Sequence, residues 1–462
     1  MKTLIYWFFS YLFIINETFA CGSWVWENWE IYMSGHPNDC GSLLSNTQNM
    51  TPENILYIII ALVVLEAILT KTLWFLNHKN KSTELPDELK EIYDKEKYEK
   101  SLNYEKTKYN FWMISSILSI VITLSMLIFW GFGFLDEFVR QFTQNQIILA
   151  LLFFWIISVF QTIIWMPFSY YSTFVIEEKF WFNKMTKKIF FLDTIKWLIL
   201  SALLWGGILS MIVWIYSIAG NNFWWYAWIL MTFISVFFMM FYSSVIVPIF
   251  NKQTPLEDGE LRNAIEEFSN KVGFKLDNIF VIDGSKRSSK ANAYFSGLGP
   301  NKRIVLYDTL INDLKIEELV AVLAHEIGHY KRKHTFQMLA FSILQTGFML
   351  FVFGLALSFP EVSQALGSSE WSFHVWAIAF GILFAPISIV MGLLTSLLSR
   401  KNEYEADEFA AKHYDAEKLI SALKKLSRNN LSNLTPHPAF EFFYYSHPNP
   451  LKRFAALRNV KK

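Results

Sequence analysis

The sequence predicts a mainly α, multi-pass membrane protein, and three observations carry that expectation. Of 462 residues, 53% are hydrophobic and 18% aromatic, which is too apolar for an ordinary water-soluble chain. Seven apolar segments, at about 54–77, 110–135, 146–169, 190–219, 223–250, 336–359 and 373–399, each have the length a helix needs to cross hydrocarbon. Lys and Arg fall in alternate connections, namely 79–108, 177–188, the polar block 251–335 and the tail from Arg400. Cytoplasmic loops carry such an excess, so these four regions are expected inside.

The elements follow in chain order. Lys2 precedes an apolar run over 4–15, and Thr18-Phe19-Ala20 offers small residues near a cleavage position. Residues 1–20 therefore read as a signal peptide or an uncleaved anchor, with 21–53 outside the cytoplasm. Cys21 and Cys40 are the two cysteines; they form one disulfide there or remain free thiols. Two cysteines cannot build a zinc ribbon, so any metal must be held by His and carboxylates. Residues 54–250 hold the first five spans, and the charged stretch 79–108 reads as a solvated helical loop. The 41 basic residues balance 40 acidic ones, so nothing global points to nucleic acid.

The polar block 251–335 ends on a helix over 316–335 that carries His325-Glu326-Ile327-Gly328-His329, an H-E-x-x-H pattern. Four residues make just over one helical turn, so both imidazoles project from one face and can share one ion. Glu326, beside them, is placed to take a proton from a metal-activated water, which is the chemistry of peptide hydrolysis. Catalytic zinc needs a third protein ligand and an open position. Glu403-Tyr404-Glu405-Ala406-Asp407 supplies one, with Glu403 and Asp407 on one helical face and Glu405 pointing elsewhere. The reading is that Glu403 ligates the metal and Asp407 fixes a ligand imidazole by a hydrogen bond. Two spans and an outer turn over 336–400 return Glu403 to the membrane face that holds His329. The catalytic parts are thus 251–335 and 401–462, a small α+β zinc-peptidase domain with a short sheet.

At this point the chain resembles the type I CAAX prenyl endopeptidases, integral-membrane enzymes with many bacterial relatives. The resemblance is carried by Ser172-Thr173-Phe174-Val175-Ile176-Glu177-Glu178-Lys179 with Phe182-Asn183, by Pro248-Ile249-Phe250-Asn251-Lys252 through Thr254-Pro255-Leu256, and by Ser289 with Asn292-Ala293-Tyr294-Phe295. It continues in the run from Asn301 to Leu310 and in Tyr445-Ser446-His447-Pro448 with Arg453. It implies seven helices around a water-filled intramembrane chamber with zinc at the cytoplasmic end. It also implies that Asn292 and Ala293 lie on an edge strand that pairs with an extended peptide. By the same resemblance His447 stabilises the oxyanion and Arg453 binds or orients substrate. His36, His78, His334, His374, His413 and His437 fit no ligand spacing and read as structural.

The expected partners are the bilayer and a peptide or protein substrate, C-terminally prenylated or, in a bacterial member, a membrane-associated or misfolded segment. The protein is expected as a monomer in the bacterial inner membrane, or in the endoplasmic reticulum membrane of a eukaryote. A transporter or a catalytically dead scaffold is the reading from another class. Mid-span residues that are mainly Leu, Ile, Phe and Trp argue against the first, and Glu326 kept beside both histidines and Glu403 argues against the second.

Overall fold

The computed structural model describes residues 51–460 apart from 83, 86, 91–93, 275–278 and 298–302. The signal peptide or anchor and the Cys21 and Cys40 pair lie outside the described residues. Among the described residues, six helices are long and apolar enough to cross a membrane. They are α1 (Pro52–Lys79), α2 (Lys95–Ile128), α4 (Gln146–Tyr171, extended by a π-helical turn to Glu177), α5 (Lys187–Ala219), α6 (Phe223–Phe241, extended to Phe250) and α9 (His334–Ala356). The pair α10 (Phe373–Leu383) and α11 (Ala385–His413), bent by 60° at their junction, has the length and hydropathy of a seventh crossing if the two count as one broken span, and of a re-entrant loop if they do not. Pro386 sits in the first turn of α11, where its missing N–H and its ring prevent α10 from continuing unbroken.

The spans bury only 6–22% of their apolar windows inside the protein. Residues such as Leu203 and Phe233 are exposed because lipid, not protein, covers them. Inside the bundle, α6 and α9 close on each other at Gly347, where an added Cβ would meet the Trp228 indole at 2.7 Å. The same indole donates to the Ile343 carbonyl at 2.8 Å.

Two boundaries differ from expectation. The second span stops at Ile128; Trp130 takes a left-handed φ of 51° and a separate amphipathic helix, α3 (Gly131–Arg140), follows. On α3, just past the end of the second span, Asp136 is fully buried. It accepts from Ser368 (2.6 Å), Ser372 (2.8 Å), Arg140 (3.0 Å) and the His374 Nε2 (2.7 Å). Nor is 79–108 simply a solvated loop. From Lys95 it is already α2, and Tyr98, Ser101 and Tyr104 form a buried stripe at helical spacing, with Tyr98 joining the core of the catalytic block.

That block begins where α6 ends. Its sheet has the order β1-β2-β4-β3, built from β1 (Gln253–Pro255), β2 (Ile279–Ile282), β3 (Ala293–Ser296) and β4 (Arg303–Tyr307). β2 and β4 run parallel, the other pairs are antiparallel, and β3 closes one end. Behind the sheet lie α7 (Glu260–Lys271) and α8 (Ile316–Lys331), with α12 (Ala416–Asn429) and α13 (Pro450–Arg458) completing the core. α8 is buried almost all round, which marks it as the central helix of the block.

Candidate metal centre and catalytic site

α8 starts under tight local control. Glu318 reaches back to accept the Lys315 amide at 2.8 Å, and its carboxylate is also held by Ser421 and Lys425 of α12, each at 2.7 Å. Nearly three turns later the helix becomes flush with α11, and Gly328 is the reason. A Cβ at that position would lie 3.1 Å from the Ala406 backbone and from the Phe409 Cβ. Glycine between the two histidines therefore lets α11 approach closely enough to deliver Glu403.

The three donor groups converge. His325 Nε2 and His329 Nε2 are 3.1 Å apart, and the Glu403 oxygens lie 3.5 Å from the first and 3.3 Å from the second. Ligand bonds of about 2.0–2.1 Å in a tetrahedron give donor separations of roughly 3.3–3.4 Å, so the spacing of this triangle of groups, in which Glu403 turns Oε2 to His325 and Oε1 to His329, is that of one face of a zinc site. Glu403 Oε2 is buried and makes no hydrogen bond among the described residues, although Arg453 Nη1 sits 3.3 Å from it as an ion contact. A buried carboxylate with Oε2 facing His325 and Oε1 facing His329, and no hydrogen bond to Oε2, fits a cation held between the three groups.

Around the triangle, each imidazole is held from its far side. Asp407 Oδ1 lies 2.9 Å from His325 Nδ1. Burial alone would lower the basicity of His325, but the Asp407 and Glu403 carboxylates outweigh it and hold its pKa at about 9. His329 Nδ1 lies 3.0 Å from His334 Nδ1, and His334 Nε2 lies 3.1 Å from Glu405. Glu405 does point away from the metal face, but toward His334. That relay was absent from the sequence reading, which classed His334 as structural; its one signal was a His at the first position of the span after the motif.

Arg453 is buried and grips both Asp407 oxygens, Nε at 2.8 Å and Nη2 at 2.6 Å. Its guanidinium is thus committed to carboxylates rather than open to a substrate, since two buried acids beside the metal face require a cation. His447 lies with Nδ1 2.9 Å from Glu403 Oε1 and is 64% exposed, far more open than either ligand imidazole. Glu326 is half-buried on α8, one residue from His325.

The edge strand lies alongside. Phe295 of β3 packs on Tyr330, the residue after His329, at 5.4 Å between rings. Asn292 stands just before β3; its carbonyl accepts the Tyr307 amide (3.1 Å) and its side-chain oxygen accepts the Ala293 amide (3.0 Å). Alternation along the strand turns the Ala293 amide to the outer edge, where the Asn292 side chain occupies it.

The segment leading into β3 is anchored to the membrane helices, in part through Ser289, Phe182 and Glu177, which the sequence showed only as resemblance. Ser289 donates its amide to the Phe182 carbonyl at 3.0 Å. Lys290 reaches Glu177 (2.7 Å) and the Tyr104 hydroxyl (2.8 Å), and Arg287 pairs with both oxygens of Asp193.

Residues 75–252 match the family described as CAAX prenyl protease N-terminal, five membrane helices, and 255–461 match peptidase family M48. CAAX prenyl protease 1 of Saccharomyces cerevisiae is 36% identical over 414 residues, covering 83% of this chain and 90% of that protein. The CAAX prenyl protease 1 homolog of Mus musculus is 33% identical over 429 residues, covering 82% and 90%. The crystal structure of S. mikatae Ste24p superposes with a TM-score of 0.83 at 34% identity, covering 87% of this chain and 99% of that one.

Proposed function

This chain belongs to the CAAX prenyl protease family of M48 peptidases, a multi-pass membrane metalloendopeptidase, and from that premise we propose that it holds one zinc ion on His325, His329 and Glu403. The observation that carries the assignment is the donor triangle with edges of 3.1–3.5 Å. Bound there, zinc supplies Lewis acidity toward the scissile carbonyl and makes a water acidic enough to be deprotonated near neutrality. Glu326 takes the proton from the attacking water and returns it to the leaving amine. His447, open toward solvent, donates to the oxygen that becomes negative as the carbonyl turns tetrahedral. Asp407 holds His325, and Arg453 acts through Asp407 and Glu403 as a positioning residue.

The substrate enters extended and adds a strand at β3. In doing so it displaces the Asn292 side chain from the Ala293 amide, so that a substrate carbonyl takes its place. Asn292 keeps that amide satisfied in the free enzyme, where an unmet donor would be costly. The preferred substrate is a C-a-a-X peptide with its cysteine prenylated, cleaved on the side of the membrane that carries the Lys- and Arg-rich loops. One chain supplies the ligands, the base and the strand, so the monomer is the working unit, and 251–335 and 401–462 act as one catalytic part split by two spans.

The test is zinc content and peptidase rate of detergent-purified protein, wild type beside Glu326→Ala and Glu403→Ala, on a farnesylated C-a-a-X peptide and an unfolded peptide without lipid. About one zinc per chain, kept in Glu326→Ala without activity and lost in Glu403→Ala, is the expected result. Well-folded wild type without metal or activity would overturn it. Equal rates on the two peptides would remove the prenyl preference and leave the zinc chemistry standing.

A further inference from the structure

A second cleft, of about 550 Å³, shares no lining residue with the metal centre. Four cations line it from four separate stretches: Lys196 on α5, Lys252 just past the end of the fifth span, Lys286 in the turn after β2, and Arg303 opening β4. Among the described residues no Asp or Glu lines it. The carboxylates near it in sequence are engaged elsewhere. Asp193 gives both oxygens to Arg287, and Asp283 accepts from Asn251 at 3.0 Å while standing 4.0 Å from Lys286.

The cations are nevertheless held in place. Lys196 Nζ donates to the Ile249 carbonyl at 2.8 Å, in the last turn of the fifth span, and Arg303 lies over the Phe280 ring at 4.8 Å. These contacts fix Lys196 and Arg303 without neutralising their charge, and only Lys286 has a carboxylate, Asp283, at ion-contact distance (4.0 Å), so the cleft keeps a net positive potential. The uncharged wall combines the amides Asn251 and Gln253 with an apolar side of Pro248, Ile249, Phe250 and Phe280, and Ile249, 39% exposed, belongs to a helix that continues into the bilayer. A basic pocket between span ends, with an apolar side facing lipid, matches an amphiphile whose head is anionic.

We propose that this cleft binds the phosphate headgroup of an anionic phospholipid, with the acyl chains lying along the fifth span beside Ile249. Arg303 pairs in register with Ser296 of β3, so the bound lipid ties the sheet that ends in the edge strand to the membrane surface. Lipid there restrains the strand from outside the active site and adds nothing to the chemistry.

The experiment is native mass spectrometry of the full-length, metal-loaded protein in detergent, titrated with phosphatidic acid, with phosphatidylcholine, or with inorganic phosphate alone. Each cation near an anionic headgroup contributes about fivefold, so Lys252→Gln/Arg303→Gln should weaken phosphatidic acid binding about 25-fold. Lys252→Arg/Arg303→Lys should retain it, and Lys97→Gln/Lys100→Gln, which removes the same charge from α2, should leave it unchanged. Lys196→Gln/Lys286→Gln is a second pair that decides the matter if the first fails to fold, folding being read from retained metal. The proposal falls if phosphatidic acid is not preferred over phosphatidylcholine, if the α2 variant loses as much, or if inorganic phosphate alone displaces the lipid.

Discussion

Two buried His–Asp pairs stand in this molecule, and they do different work. At the metal centre His325 meets Asp407 at 2.9 Å; among the outer helices His374 meets Asp136 at 2.7 Å. Asp136 is saturated by two serines and Arg140 as well. The other nitrogen of His374 has no hydrogen-bond partner among the described residues, and its ring rests 4.5 Å from Phe153. Such a cluster staples α3 to the segment entering α10. At the metal centre the second nitrogen of His325 faces His329 and Glu403, and an open side is bordered by Glu326 and His447. Convergent donors with a carboxylate oxygen left over mark a site, whereas a carboxylate with every acceptor filled marks a fastening.

Breaking each pair should therefore give separable results. The largest effect is expected for Glu403→Ala, which removes a ligand and should abolish both bound metal and peptidase activity, read by metal analysis and peptide cleavage. Glu326→Gln should lower kcat by about 10²–10⁴-fold, the range of a general base, while metal content stays at the wild-type level. Asp407→Asn keeps the shape but loses the charge behind His325, and should cost about 10–100-fold in metal affinity or activity, seen by competition with a chelator. His334→Ala should fall in the lower part of that range through His329. Asp136→Ala should leave kcat per folded molecule unchanged. Its effect should appear instead as about 3–5 kcal/mol of lost stability, the cost of stranding one partner of a buried pair, measured by denaturant unfolding in detergent. A loss of catalysis in Asp136→Ala with normal stability would erase the distinction between the two pairs.

Much of the protein was legible because its signals are local. The spans follow from runs of apolar residues, and hydrocarbon imposes the same length on each. H-E-x-x-H places two imidazoles on one turn whatever surrounds it, and the alternation of basic loops puts Glu403 on the face that holds His329. The misreadings came where local composition was ambiguous. The stretch 79–108 is rich in Lys and Glu, yet Tyr98, Ser101 and Tyr104 bury one stripe of it. The burial of Asp136 was not legible locally, because the serines and histidine that enclose it lie more than 230 positions away.

The sequence by itself determined a multi-pass membrane metalloendopeptidase, because hydropathy, charge asymmetry and ligand spacing along one helix are properties of adjacent residues. Only the tertiary structure decided how the ligands are held: Gly328 letting α11 approach α8, His334 and Glu405 behind His329, Arg453 spent on Asp407 rather than offered to substrate, and Asn292 covering the Ala293 amide. Those are contacts between segments distant in the chain, and a buried charge or an unmet amide finds its partner only when the whole fold brings the two together.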